Sequence, residues 1–163
     1  MNYFELFDMP VTLLPDKTGL AKKYFELQKK YHPDFYTQAD EAEQQEVLEK
    51  SSMVNKALKV LQQPQLTIQY ILQLKGLLTE NEKYELPPGF LMEMMDLNEK
   101  LADDDADTLK QEVVELENAL YGSVKDIIEN YNDSTITTEN LLKLKDYYFK
   151  KKYLHRILDR LDD

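Results

Sequence analysis

Apolar residues recur at helical spacing along most of this 163-residue chain. Leu20, Tyr24, Leu27 and Tyr31 stand 4, 3 and 4 positions apart, which puts them on one face of a helix capped by Asp16 or Thr18. His32, Pro33 and Asp34 break the pattern. Pro33 has no amide proton and drives the residue before it out of the helical region, so the helix ends at or before His32. Asp34 suits a turn, because its short side chain accepts from neighbouring backbone amides. Phe35, Tyr36 and Thr37 complete the loop. From Asp40 a second stripe follows, Val47, Ser51, Val54, Leu58 and Leu61. Two amphipathic helices joined by a short loop pack antiparallel, which leaves His32 and Asp34 side by side at the tip of a hairpin. Residues 2–7 read as a short helix capped by Asn2, lying across the pair. Pro64 interrupts the pattern, and Leu66 to Leu74 read as a fourth helix ending at Gly76.

Residues 79–89 are polar and end in Pro87, Pro88 and Gly89, which marks a linker. Three helical stretches follow: Phe90 to Leu101, Asp107 to Asn130, and Thr138 (capped by Thr137 or Thr138) to Leu161. Asp103, Asp104 and Asp105 form a turn or cap between the first two. A small antiparallel bundle closes them. The expected fold is all-α, with one module at 1–76, a linker at 77–89 and a three-helix module at 90–163. In the first of these three helices, Leu91, Met92 and Met95 share one side while Met94 and Leu97 lie toward another. Such a helix has either one wide buried face or a core face and an exposed face rimmed by Asp96 and Glu99.

Composition narrows the chemistry. The 20 Lys and Arg against 31 Asp and Glu give a net charge of -11, the wrong sign for a general binder of nucleic acid or anionic membrane. The excess is uneven: residues 1–78 carry 9 basic and 10 acidic residues, residues 79–163 carry 11 and 21. Cysteine is absent, which removes disulfides, thiolate metal sites and cysteine nucleophiles together. The N-terminus shows no targeting pattern and no segment is apolar enough for a membrane span, so a soluble, cytosolic protein is expected. Four glycines, six prolines and few alternating runs fit helices throughout.

His32-Pro33-Asp34 is the unusual cluster. No nucleophile or oxyanion device accompanies it, and a hairpin tip is not a cleft, so catalysis by this chain is not expected. His32 and His155 lack metal-ligand spacing, so neither metal nor cofactor is expected. Lys22, Lys23, Lys29 and Lys30 fall as two pairs seven residues apart, a basic stripe leading to the tip. Lys150, Lys151, Lys152, Arg156 and Arg160 read as solvated charge at the end of the last helix.

Residues 1–75 resemble a J domain, with His32-Pro33-Asp34 in the place of its signature tripeptide. Tyr3-Phe4-Glu5-Leu6-Phe7, Tyr31-His32-Pro33-Asp34 and Phe90-Leu91-Met92-Glu93 further resemble the HscB family of J-type co-chaperones in bacterial iron–sulphur-cluster assembly. The resemblance implies that the tripeptide and the lysine stripe meet an HscA/DnaK-type ATPase chaperone and stimulate it. It also implies that the C-terminal bundle holds an IscU-type scaffold protein through Leu91, Met92, Met95, Asp96 and Glu99, with Tyr148 or Phe149 as an aromatic contact from the last helix. Phe35 departs from the J-domain pattern, in which many J domains carry Lys or Arg at that place. Two other readings stay open: a J-domain protein for other or general unfolded clients, and a helical adaptor with an accidental tripeptide.

Overall fold

The computed structural model describes residues 1–103 and 106–159 and is helical throughout, with no strand among them. Helix α1 spans Tyr3–Leu6, α2 Lys17–Tyr31, α3 Glu41–Gln62, α4 Pro64–Leu74, α5 Pro88–Asp103, α6 Ala106–Gly122, α7 Lys125–Glu129 and α8 Thr138–Asp159, with a 3-10 turn at Pro33–Tyr36. Asp104, Asp105, Arg160 and Leu161, named above in the turn between helices and at the end of the last helix, lie outside the described residues, as does the side chain of Asp103. The chain divides into two compact units, Met1–Tyr70 and Ile71–Asp163.

In the first unit, local sequence signals place the ends of each helix. The Asn2 side chain accepts from Glu5 N–H at 2.8 Å while the Glu5 carboxylate accepts from Asn2 N–H at 3.2 Å, a reciprocal cap. Asp16 caps α2 through Gly19 N–H at 3.0 Å, and Asp40 caps α3 through Glu43 N–H at 2.8 Å. Leu20 and Leu27 of α2 are buried, as are Val47, Val54, Ala57 and Leu61 of α3. Tyr24 bridges these two helices by donating to Asn55 Oδ1 at 3.0 Å. Helix α1 packs on α3 and adds Phe4 and Leu6 to the interior. Tyr3 stacks on Tyr70 with ring centroids 4.5 Å apart, and its amide donates to the Tyr70 hydroxyl at 2.9 Å. Pro64 opens α4 at the position where a missing N–H costs nothing. Thr67, fully buried, donates its hydroxyl to the carbonyls of Val60 and Gln63.

In the second unit α5, α6 and α8 surround a core of Phe90, Met94, Leu97, Leu109, Val113, Leu154 and Ile157. The stretch expected as one helix from Asp107 to Asn130 is two. Helix α6 stops at Gly122, where Ser123 donates its hydroxyl to the Leu120 carbonyl at 2.6 Å and so takes over an acceptor of the last turn. The chain turns there, Val124 is buried, and the short α7 follows.

Residues 77–87 are non-helical but not loose. Leu78 is buried, Glu82 accepts from Lys145 Nζ at 2.7 Å, and Tyr84 donates to Asp146 at 3.0 Å while its ring stacks on Phe149 at 4.5 Å. The segment is a strap laid on α8. Its Lys145 partner holds the Glu82 carboxyl below the usual glutamate range. Burial pushes the Tyr84 phenol up to about 12, with the Asp146 carboxylate adding to the rise. Burial alone would raise Asp133 too, yet hydrogen bonds from Lys75 and Tyr131 outweigh it and its pKa is lowered.

A lowered carboxylate pKa stabilises the fold above the unfolded-state value, and that stabilisation is lost as pH falls through the folded value. Lys145→Ala should therefore cost about 1 kcal/mol in urea unfolding at neutral pH. The difference from the unmodified chain should shrink well below the ordinary glutamate value of 4.5. A gap that stays constant across that range would show that the Glu82–Lys145 pair is not its source.

Candidate functional site

Two exposed surfaces combine polar chemistry with uncovered apolar residues, one in each unit. The first is built on the turn after α2. His32 ends α2 and opens the 3-10 turn, with Pro33 at its first position. The expected capping role of Asp34 passes to its neighbour: His32 Nδ1 accepts from Asp34 N–H at 3.2 Å. Acceptance at Nδ1 leaves Nε2 as the ring's donor. The Asp34 carboxylate has no turn amide to serve and stays 85 % exposed, 3.6 Å from His32 Nδ1. Phe35 and the His32 ring form a T-shaped pair with centroids 5.9 Å apart, and Phe35 is 70 % exposed. Below the turn, Tyr36 donates to the Lys30 carbonyl at 2.6 Å and Gln44 donates to the Tyr36 carbonyl at 3.1 Å. These bonds fix the turn from beneath, so Pro33 holds both polar side chains out on a rigid base.

Lys22, Lys29 and Lys30 of α2 are exposed, whereas Lys23 is half-buried and faces Glu26 at 3.6 Å. Among the described residues the basic face thus has Lys22 and Lys29 outside any ion pair, Lys30 over the Tyr31 ring at 5.2 Å, and Lys23 paired. It also contains a residue that the lysine pattern hid. Phe25 is 65 % exposed, three positions after Lys22 and four before Lys29. It sits between them on one face. The signal was its place off the Leu20–Leu27 core stripe.

The second surface is on α5, where the question left open by the sequence is resolved. Phe90, Met94 and Leu97 are buried in the core, while Met92 and Met95 are 66 % and 62 % exposed and Leu91 is half-buried. Asp96 and Glu99 are exposed at the edge of this strip. Tyr148 and Phe149 do not join it as free rings. Both are buried, Phe149 under the strap residue Tyr84, and they serve the packing of α8. Phe149 shares a concavity of about 650 Å³ with Leu91 through the little surface it retains. The solvated reading of Lys150 is also corrected, since it is half-buried and bonded to Asp146 at 2.7 Å. Lys151 lies over the Tyr147 ring at 5.7 Å.

His155 lies 4.0 Å from Glu117 and far in sequence from His32. Among the described residues no cluster of His, Asp or Glu is arranged to hold a metal ion, and no helix is long and apolar enough to cross a membrane. What the two surfaces offer is contact, a cationic and polar tip on one unit and an apolar strip on the other.

The chain matches the sequence model of the HscB C-terminal oligomerisation domain over residues 86–162. It is 33 % identical over 151 residues to a co-chaperone protein HscB homologue of Psychromonas ingrahamii, covering 89 % of each chain. It is 30 % identical to the iron–sulphur cluster co-chaperone protein HscB of Mus musculus, across 98 % of this chain and 67 % of the mouse protein. Among solved structures, chaperone HscB from Vibrio cholerae superposes with a TM-score of 0.76 at 25 % identity, covering 99 % of this chain and 96 % of that one. Human co-chaperone protein HscB gives 0.82 at 27 % identity, covering 99 % and 81 %. The helical hairpin of the first unit is accordingly a J domain, and the helices of the second form the C-terminal bundle. On sequence and fold together, this chain belongs to the HscB family of co-chaperones.

Proposed function

We propose that this chain is a co-chaperone of iron–sulphur cluster assembly that binds an IscU-type scaffold protein, delivers it to an HscA/DnaK-type chaperone and stimulates that chaperone's ATPase. The observation that carries the reading is the pairing of two different contact surfaces on two units. The His32–Asp34 tip stands beside cationic α2, and Met92 and Met95 lie uncovered on α5. Residues 1–76 form the chaperone-facing module, 77–89 the connection and 90–163 the client-facing module. His32, Pro33 and Asp34 are the trigger; Lys22, Lys23, Lys29 and Lys30 dock it on an acidic surface. Leu91, Met92 and Met95, with Asp96 and Glu99 at the rim, grip the scaffold. The chain does no bond chemistry itself. Holding client and chaperone on one molecule raises the effective concentration of one at the other.

The test is steady-state ATP turnover by an HscA-type chaperone with this protein, with the scaffold, and with both. Stimulation by the protein alone and a larger effect with the scaffold are expected. No stimulation by the protein at any concentration would overturn the reading. Phe25 belongs to the chaperone-facing surface on this account. Phe25→Ala should lower the stimulation at sub-saturating protein about fivefold, the cost of one well-buried interface aromatic of modest weight. Because the ring is exposed, thermal unfolding should hardly move. Unchanged stimulation would remove Phe25 from the contact.

A further inference from the structure

The apolar strip of α5 runs between two walls of opposite charge. On its α6 side, Glu93 and Asp96 line a groove with Glu112 and Glu115, and Lys100 in that groove is already bonded to Glu112 at 2.8 Å. On its α8 side is the concavity that Leu91 and Phe149 share, whose apolar lining also includes Leu86 and Tyr153. Three cations border it: Lys83 of the strap, and Lys152 and Arg156 one turn apart on α8. Lys152 Nζ lies 5.8 Å from the Tyr148 ring centroid and 6.0 Å from that of Phe149, so it is held over aromatic faces and not in a carboxylate bridge. Lys83 and Arg156 make no ion pair with any described residue. The acids of the same wall are Glu82, which Lys145 neutralises at 2.7 Å, and exposed Glu85. The wall is therefore net positive on the half of a chain that carries nearly all of its negative excess.

Solvated charge near a helix C-terminus accounts for cations on the last turns of α8. It does not account for a cationic wall, closed by a strap that is itself fastened down, around an apolar floor continuous with the strip. We infer that this concavity is a binding pocket for an acidic segment of the client protein, a carboxylate flanked by apolar side chains. With the anionic wall opposite, it fixes which way round the client lies on α5. The inference rests on the reading of α5 as the client grip and adds the pocket and the chemistry it selects. Charge-assisted bonds from Lys152 and Arg156 would meet the carboxylate, while Leu86, Leu91 and Tyr153 receive its apolar neighbours. Opposed walls act mainly on orientation and on the rate of encounter.

Calorimetric titration of the full chain with an IscU-type scaffold protein, at low and at high salt, tests this. Lys152→Glu with Arg156→Glu should weaken binding about tenfold and flatten the salt dependence, with helicity unchanged by circular dichroism. Lys152→Gln with Arg156→Gln adds no repulsion against Glu85 and should shift both quantities the same way by less. It keeps the test open should the reversal fail to fold. The Leu91→Ala, Met92→Ala, Met95→Ala variant is the reference. Wild-type affinity and salt slope in both charge variants, with binding lost in the reference, would overturn the pocket and leave the grip standing. Wild-type binding in all three would overturn the grip and the pocket with it.

Discussion

Changing His32 to Gln is expected to reduce stimulation of the chaperone's ATPase by about 30-fold, the weight of one interface hot spot of roughly 2 kcal/mol. The His32 ring does three things at once. Its Nδ1 accepts the Asp34 amide, its ring makes a T-shaped contact with Phe35, and its Nε2 is left as the ring's donor on a side chain that is half exposed. A Gln side chain restores neither the rigid ring nor the fixed direction of the donor. The fold should tolerate the change, since the ring is 48 % exposed and the turn is held from below by Tyr36 and Gln44. On the proposed reading scaffold binding belongs to the other unit, and it should be unaffected. Steady-state ATP turnover separates the outcomes, and stimulation at the wild-type level would mean that the tip is not the trigger.

A still larger loss is expected from Leu91→Ala, Met92→Ala and Met95→Ala together. Burying these side chains against a partner is worth about 1 kcal/mol or more for each, so scaffold affinity should fall about 100-fold or more. Met92 and Met95 contribute to the free fold little, being 66 % and 62 % exposed. Leu91 is half-buried, so the triple variant also loses about 1 kcal/mol of stability. Met92→Ala with Met95→Ala alone should keep the full stability and lose most of the affinity. Titration calorimetry alongside circular dichroism checks both. Unchanged affinity in a folded triple variant would exclude the α5 strip as the grip.

The hairpin was readable from sequence because each signal there is local. A 4, 3, 4 stripe, two aspartate caps and one proline place both helices and the tip without reference to any other part of the chain. The two-sided character of α5 was readable for the same reason, but whether both sides were buried or one faced water was not, since that depends on where α6 and α8 lie. Helix α8 itself was readable, but its core face escaped pattern reading. It meets α5, α6 and the strap, so Tyr147, Tyr148 and Phe149 are buried in succession and no single stripe marks its core. The strap carried a signal that its polarity and prolines masked: Glu82, Tyr84 and Leu86 turn inward while Lys83 and Glu85 turn out, the two-residue alternation of an extended segment on a surface. The exchange of roles between His32 and Asp34 is a matter of side-chain geometry in a 3-10 turn, which residue types alone do not determine.

On the proposed reading, trigger and grip work because one chain carries both. The most direct measurement mixes two damaged chains, one with His32→Gln and an intact α5 strip, the other with an intact tip and the Leu91, Met92 and Met95 changes. ATP turnover by the chaperone is followed with scaffold held below saturation. If delivery depends on linkage, the mixture stimulates no better than the sum of its two members and stays well short of the wild-type chain. Stimulation by the mixture equal to that of the wild-type chain would contradict the account, because the two surfaces would then act as well apart as joined.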